Sequence, residues 1–335
     1  MSWLDHVAGA FVPAPFSIGY VVLAQLGLAL AVGLVSSRRP SPPWRWLAWL
    51  FVVAQVVAVE RLTAGQPDGF RMLAIIGVAL WSLKSVVSVE ALLAGDDPLP
   101  WWRWLLFAAA WPGMRPSAFA GPLAPDPRAA TGLAVRGVVW SVVGAACLVL
   151  SRLAAGSTIP SAIVVATAVG LVGISLLLHF GAFNLGAATW RLVGFSTDRL
   201  FLAPLASTSL AEFWGKRWNL AFTEMTQIAI YRPISARWNK QAGAALGFLY
   251  SGLLHEMAIS LPTGRGFGLP LLYFAIHGGL VLLERRWYRR GTPIAGRPGL
   301  RHVWTLGWLA LPMPILFHPP FLEGVVWPLL GIAAP

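Results

Sequence analysis

Charge is what this sequence has least of. Of its 335 residues, 11% are Asp, Glu, Lys or Arg, against about 25% in an average soluble chain, while 57% are hydrophobic. That deficit excludes a soluble fold of this size and reads as a polytopic integral membrane protein. There is one cysteine, Cys147, so an intrachain disulfide and a cysteine-based metal site are excluded. The histidine-glutamate pair at 255–256 is not a zincin motif, because position 259, where H-E-x-x-H needs histidine, is Ile259. Asp96-Asp97 stands alone, so the paired aspartate-rich motifs that hold magnesium diphosphate are missing. No P-loop, dinucleotide glycine motif or repeat is present. No metal and no cofactor is expected. The segment before the first apolar run lacks a basic n-region, so that run is expected to be a retained span rather than a cleaved signal.

What is present is a succession of apolar runs. Spans of about 20 residues are expected near 16–35, 46–60, 71–93, 137–152, 160–182, 242–261, 267–284 and 303–333, the last broken by Pro312, Pro314, Pro319 and Pro320 and readable as two. The expectation is therefore an all-α membrane protein with about eight or nine transmembrane helices. The Trp-rich run 99–112 is too short to span and reads as interfacial or partly inserted. The net charge of +12 lies mostly in arginines between these runs, so it argues for membrane orientation rather than nucleic acid. With the N-terminus outside, twenty of the basic residues fall in cytosolic loops and four (Arg61, Arg71, Arg152, Arg265) outside, as the positive-inside rule requires. Lys84 and Glu90 lie within one span, six residues apart and on different faces, each expected to pair with another helix. Arginine over lysine with abundant alanine points weakly to a GC-rich bacterial gene, hence the cytoplasmic membrane of a bacterium.

The largest cytosolic segment, 185–240, is neither apolar enough to span nor polar enough to be disordered. Ser209 and Glu212 have capping-box spacing, which predicts a helix starting just after Ser209, with Glu212 and Lys216 as an i,i+4 pair. At 100° per residue Glu212, Gly215, Lys216, Asn219 and Thr223 share a face, with Trp214 and Trp218 opposite. Two readings stand side by side. One is an amphipathic helix on the membrane surface with Asn219 solvated. The other is a helix lining a polar chamber, with the Asn219 amide presented to a ligand.

In the run LYSGLLHEMAISL (249–261), His255 shares a helical face with Ser251 and, near its edge, Gly252, small residues that permit close approach of a neighbouring helix or ligand. At 1.5 Å per residue His255 lies about 20 Å from the cytosolic end, near mid-membrane. Hydrocarbon surroundings favour the neutral imidazole, the state a general base needs. The competing reading is a histidine that hydrogen-bonds between helices. Glu256 points about 100° away. It orients neighbours, is protonated, or pairs with a basic group. His179, His277 and His318 each read as packed or interfacial.

EFWGKRWNLAF (212–222), followed 36 residues after its asparagine by SGLLHE (251–256), resembles the membrane-bound O-acyltransferase family, most closely its wax-synthase-like branch. WPGMRP (111–116), LLHFGAFNL (177–185) and LFHPPF (316–321) are similar to that branch too. The resemblance is densest over about 175–325 and thin before residue 100, so residues 1–335 are read as one membrane domain with its core at 175–325. It implies helices around an intramembrane reaction chamber. Acyl-CoA would enter as co-substrate from the cytosol, and a lipophilic alcohol from the membrane lipid. By the resemblance His255 is the base and Asn219 orients the reactants. Trp214, Lys216, Arg217, Trp218, Ser251 and Glu256 are the candidate substrate contacts, Lys216 and Arg217 for the phosphates of CoA. A rival of another class is a transporter or channel using His255, Lys84 and Glu90 along a polar path.

Overall fold

The computed structural model describes residues 3–157, 159, 161–290 and 297–333. Among them there are helices and turns and no strand. The chain divides into two compact units.

The first unit comprises Met1–Pro112, Pro116–Leu200 and Leu322–Pro335. Its helices are α1 (Trp3–Phe11), α2 (Ser17–Ser36), α3 (Pro42–Leu62), α4 (Asp68–Leu93), α5 (Trp101–Ala110), α6 (Pro127–Ala155) and α7 (Ala162–Val193). Five of the expected spans match α2, α3, α4, α6 and α7; Pro160, the predicted start of the last, lies outside the described residues. α6 and α7 touch almost backbone to backbone. A Cβ on Gly144 would lie 2.9 Å from the Gly173 carbonyl oxygen, and one on Gly173 would lie 3.0 Å from that of Gly144. Without a hydrophobic force between helices in lipid, such small-residue contacts are what packs them.

The two intramembrane charges find local partners. Glu90 receives a two-pronged bond from Arg45 in the first turn of α3, Nε–Oε1 2.5 Å and Nη2–Oε2 2.9 Å. Lys84 is fully buried; its Nζ donates to the carbonyls of Phe107 (3.1 Å) and Trp111 (2.7 Å) and lies 3.9 Å from the Phe107 ring centre. Those carbonyls end α5 and have no helical partner of their own, so the ammonium meets the negative end of that helix. α5 itself buries Trp104 and Phe107 while Trp101 and Trp102 face outward. It is a ten-residue helix, too short to span, that also tethers α4 through Trp104 Nε1 to Ser88 Oγ at 2.9 Å.

The second unit comprises Gly113–Arg115 and Phe201–Phe321. Short helical pieces lead into α8 (Lys240–Thr263), α9 (Leu269–Arg290) and α10 (Pro298–Ala310). α8 and α9 pack where Gly252 lets them, since a Cβ there would sit 3.0 Å from the Leu271 Cα. Leu210, Phe213, Leu280, Val281 and Leu309 form the buried core under the short pieces.

Among the described residues six helices are long and apolar enough to cross a membrane, or seven if Pro298–Leu316 and Pro319–Leu330 form one broken span. The sequence expectation was eight or nine. α9 drops from the count because every 18-residue window of it holds Glu284, Arg285 and Arg286. The proline-rich last run is broken at Phe317-His318, which makes a single straight helix impossible there.

Candidate active site

The predicted helix after Ser209 exists but ends early. Ser209 Oγ accepts from the Glu212 N–H at 3.0 Å, as the capping box requires. Residues Phe213–Arg217 then widen into a π-helical turn, closed by Trp218 N–H to Phe213 O at 2.9 Å. Trp218 is extended, and Asn219 is left-handed with φ +45°. Asparagine is among the few residues that tolerate that conformation. Asn219 therefore does not continue a helical stripe from Glu212. It opens a second helix, Leu220–Thr226, and its Oδ1 accepts from the Phe222 N–H at 3.4 Å. A π turn adds a residue, so the periodicity of an ideal helix misplaces everything after Glu212.

The added residue also changes the charge partner. Glu212 pairs with Arg217 (Nε–Oε1 2.8 Å), not Lys216. Arg217 further donates to the Leu202 and Ala203 carbonyls and so staples the turn to the preceding stretch, while Lys216 is exposed. The Glu212 carboxyl is held below its usual 4.5, first by the Thr208 N–H and then by the Arg217 guanidinium, against the opposing effect of burial. Arg115 and Glu224 form an ion pair beside the second helix.

His255 is the sixteenth residue of the 24-residue α8, about 22 Å along its axis. Its Nδ1 lies 2.7 Å from the Ser251 carbonyl, an acceptor, so Nδ1 carries the proton and Nε2 keeps the lone pair. Nε2 makes no hydrogen bond among the described residues. Ser251 thus contributes its carbonyl to the tautomer. Immediately after His255 the helix widens into a second π turn, Glu256–Ser260. Such turns recur at functional sites.

Glu256 Oε1 accepts from the N–H groups of Gly268 (2.8 Å) and Leu271 (3.0 Å), at the start of α9. It orients the neighbouring helix, one of the three roles open to it from sequence. Its Oε2 is buried without a hydrogen-bond partner among the described residues.

The candidates meet through aromatic rings. The His255 ring lies 4.3 Å from that of Phe274 on α9, and Phe274 lies 5.3 Å from Trp214. Trp214 meets Phe213 edge-on at 4.9 Å, and Phe213 stacks on Trp218 at 5.4 Å. Thr223 Oγ1 donates to the Trp214 carbonyl at 2.9 Å, tying the helix opened by Asn219 back to the π turn. No hydrogen bond joins Asn219 to His255 among the described residues. The structure thus brings Trp214, Trp218 and His255 into one aromatic network, holds Asn219 beside it, and commits Arg217 elsewhere.

Two organising residues were not singled out from sequence. Glu284 on α9, 1% exposed, accepts from Leu210 N–H (3.0 Å), Ala211 N–H (3.3 Å) and Trp304 Nε1 (3.1 Å), capping the helix that leads to Trp214. An acid at the end of an apolar run was a readable signal. Phe274 carried none. Among the described residues no group of three or more His, Cys, Asp or Glu is placed to hold a metal ion.

A comparison with known families falls on this region. Residues 197–276 match the membrane bound O-acyl transferase family. The chain is 28% identical over 145 residues to a probable long-chain-alcohol O-fatty-acyltransferase 9 of Arabidopsis thaliana, covering 39% of this chain and 42% of that one. It is 30% identical over 93 residues to a long-chain-alcohol O-fatty-acyltransferase of Simmondsia chinensis, covering 25% and 26%. The chain thus spans about two fifths or less of the length of these curated relatives. The stretch that carries Trp214, Asn219 and His255 is the part of the chain that matches the membrane bound O-acyl transferase family.

Proposed function

We propose that this chain is an O-acyltransferase that moves a fatty acyl group from acyl-CoA to the hydroxyl of a lipophilic alcohol, with His255 as the general base. The observation that carries the reading is the His255 tautomer. Nδ1 is committed to the Ser251 carbonyl, so Nε2 offers a lone pair deep in a membrane-length helix. The names of the relatives support the acceptor class.

In this reading Nε2 takes the acceptor's O–H proton as its oxygen bonds to the thioester carbonyl carbon. The Asn219 amide N–H groups, unengaged among the described residues while Oδ1 caps the next helix, donate to the developing oxyanion. Collapse breaks the C–S bond, and the proton on Nε2 leaves with the thiolate. Trp214 and Trp218 wall the site, and Lys216 at the exposed turn meets the incoming donor. No cofactor beyond the acyl-CoA co-substrate is needed. The basic loops face the cytosol, where that donor is found.

The transporter reading is less favoured. Its three ionisable groups do not form a free path: Lys84 is held by two carbonyls and Glu90 by Arg45.

The test is acyl transfer by purified protein from labelled acyl-CoA to a panel of long-chain alcohols, with a carrier-protein thioester as a second donor. His255→Ala is expected to lower turnover by about 10² to 10⁴. Full turnover in that variant would sink the mechanism. Silence of the wild type with every acceptor and both donors would sink the activity.

A further inference from the structure

A cavity of about 580 Å³ lies in the second unit, away from the His255 network, between the start of α8 and the last turns of α9. Lys240, Arg285, Arg286 and Arg289 line it, with Tyr231 and Tyr288. Its basic wall follows from helix geometry: Leu282, Arg285, Arg286 and Arg289 sit at i, i+3, i+4 and i+7 and so share one face of α9. Lys240 adds a fourth cation from the first residue of α8, where the helix dipole is also positive.

Among the described residues no acid lines the cavity, and none of these four cations forms an ion pair. The acid on the same helix, Glu284, is turned away and consumed by Leu210, Ala211 and Trp304. Among the described residues Arg45, Arg61, Arg71, Arg115 and Arg217 do find carboxylate partners. The Tyr288 wall is set by the protein itself. Arg301 donates from Nε to its hydroxyl at 3.2 Å and stacks over its ring at 4.8 Å. Membrane orientation alone would require cations on this side. It does not require four of them to converge on one tyrosine-walled cavity.

We infer that this cavity is a binding site for a small phosphorylated anion. Its volume suits a ligand of nucleotide or headgroup size, and clustered guanidinium groups recognise phosphate oxygens in paired bonds. The chemistry is a phosphate ester, carried either by a soluble molecule or by a lipid headgroup. The inference rests on the cavity's geometry and not on the acyl-transfer reading, whose acyl-CoA donor carries phosphates of the same chemistry, and its test needs no turnover.

Binding is measured on the wild-type chain in neutral phosphatidylcholine nanodiscs, using adenosine 3′,5′-bisphosphate with adenosine as control. A second arm asks whether nanodiscs containing phosphatidic acid or a phosphoinositide retain that lipid. Arg285→Gln/Arg289→Gln and the exposed Lys240→Gln are compared with Arg237→Gln, an exposed cation outside the cavity. The expected result is at least a tenfold loss of affinity in the first two variants and none in the third, with unchanged melting temperatures. Saturable binding of the bisphosphate assigns the soluble source; selective retention of the anionic lipid assigns the headgroup. Absence of binding in both arms overturns the site, as does equal weakening by Arg237→Gln. If the double variant melts early, Lys240→Gln alone decides.

Discussion

Glu284→Ala is the sharpest test of how the site segment is held. One buried carboxylate accepts three N–H groups: Leu210 and Ala211 from the first turn of the helix after Ser209, and the Trp304 indole from α10. With Ser209 capping Glu212, these satisfy three of the four donors that any helix start leaves bare. Truncation strands all three in a buried pocket. Each unsatisfied buried donor costs about 1–3 kcal/mol, and water entering the space left by the side chain reduces the sum. A loss of about 3–5 kcal/mol is expected, a large share of the roughly 5–15 kcal/mol that holds a domain folded. Thermal unfolding of the solubilised protein should drop by about 10 °C, at a few degrees per kcal/mol. Trp304→Phe removes one of the three donors, so it should cost less in the Glu284→Ala background than in the wild type. An alanine variant that melts within a degree of wild type, or costs that simply add, would refute the account of Glu284 as the anchor of this segment.

Asn219 separates a backbone role from a chemical one. Asn219→Ala loses the cap and strains a left-handed residue, at roughly 1–2 kcal/mol, whereas Asn219→Gly restores the backbone freedom. If the amide takes part in acyl transfer, both variants should be inactive while only the alanine variant melts early; an active glycine variant would leave the residue a purely conformational role. Glu212 gives a pH dependence whose sign follows from its depressed carboxyl. Its contribution is present in full above about pH 4.5 and is lost as pH falls through the lower folded value. Glu212→Gln should remove that acid-side fall in melting temperature, and an unchanged acid profile would show that the Arg217 and Thr208 contacts do not matter to folding.

Where sequence and structure part, the reasons are local. Capping spacing located the start of the helix after Ser209 because a cap is made by residues three apart. The same reasoning put Asn219 on one face with Glu212, and failed there, because a π turn at 213–217 adds a residue that no periodicity announces. α9 carries the charges of its C-terminal end inside the helix, so an apolar count and a length count disagree about it. His255 stood out because an ionisable group in an apolar run is costly, whatever surrounds it. Glu284 obeys the same rule and was passed over, being at the end of its run rather than in the middle.

Composition and pattern alone determined that this chain is helical and membrane-embedded and where most of its spans lie, and they offered Asn219 and His255 as candidates with a second reading open for each. These are properties of single segments, set by hydropathy and spacing along the chain. Tertiary structure decided the rest. It paired Glu90 with Arg45, buried Lys84 against the end of α5, took Arg217 for Glu212, and fixed the proton of His255 on the nitrogen facing Ser251. Each of those is a choice among partners distant in sequence or equivalent by composition, and only packing in three dimensions selects one.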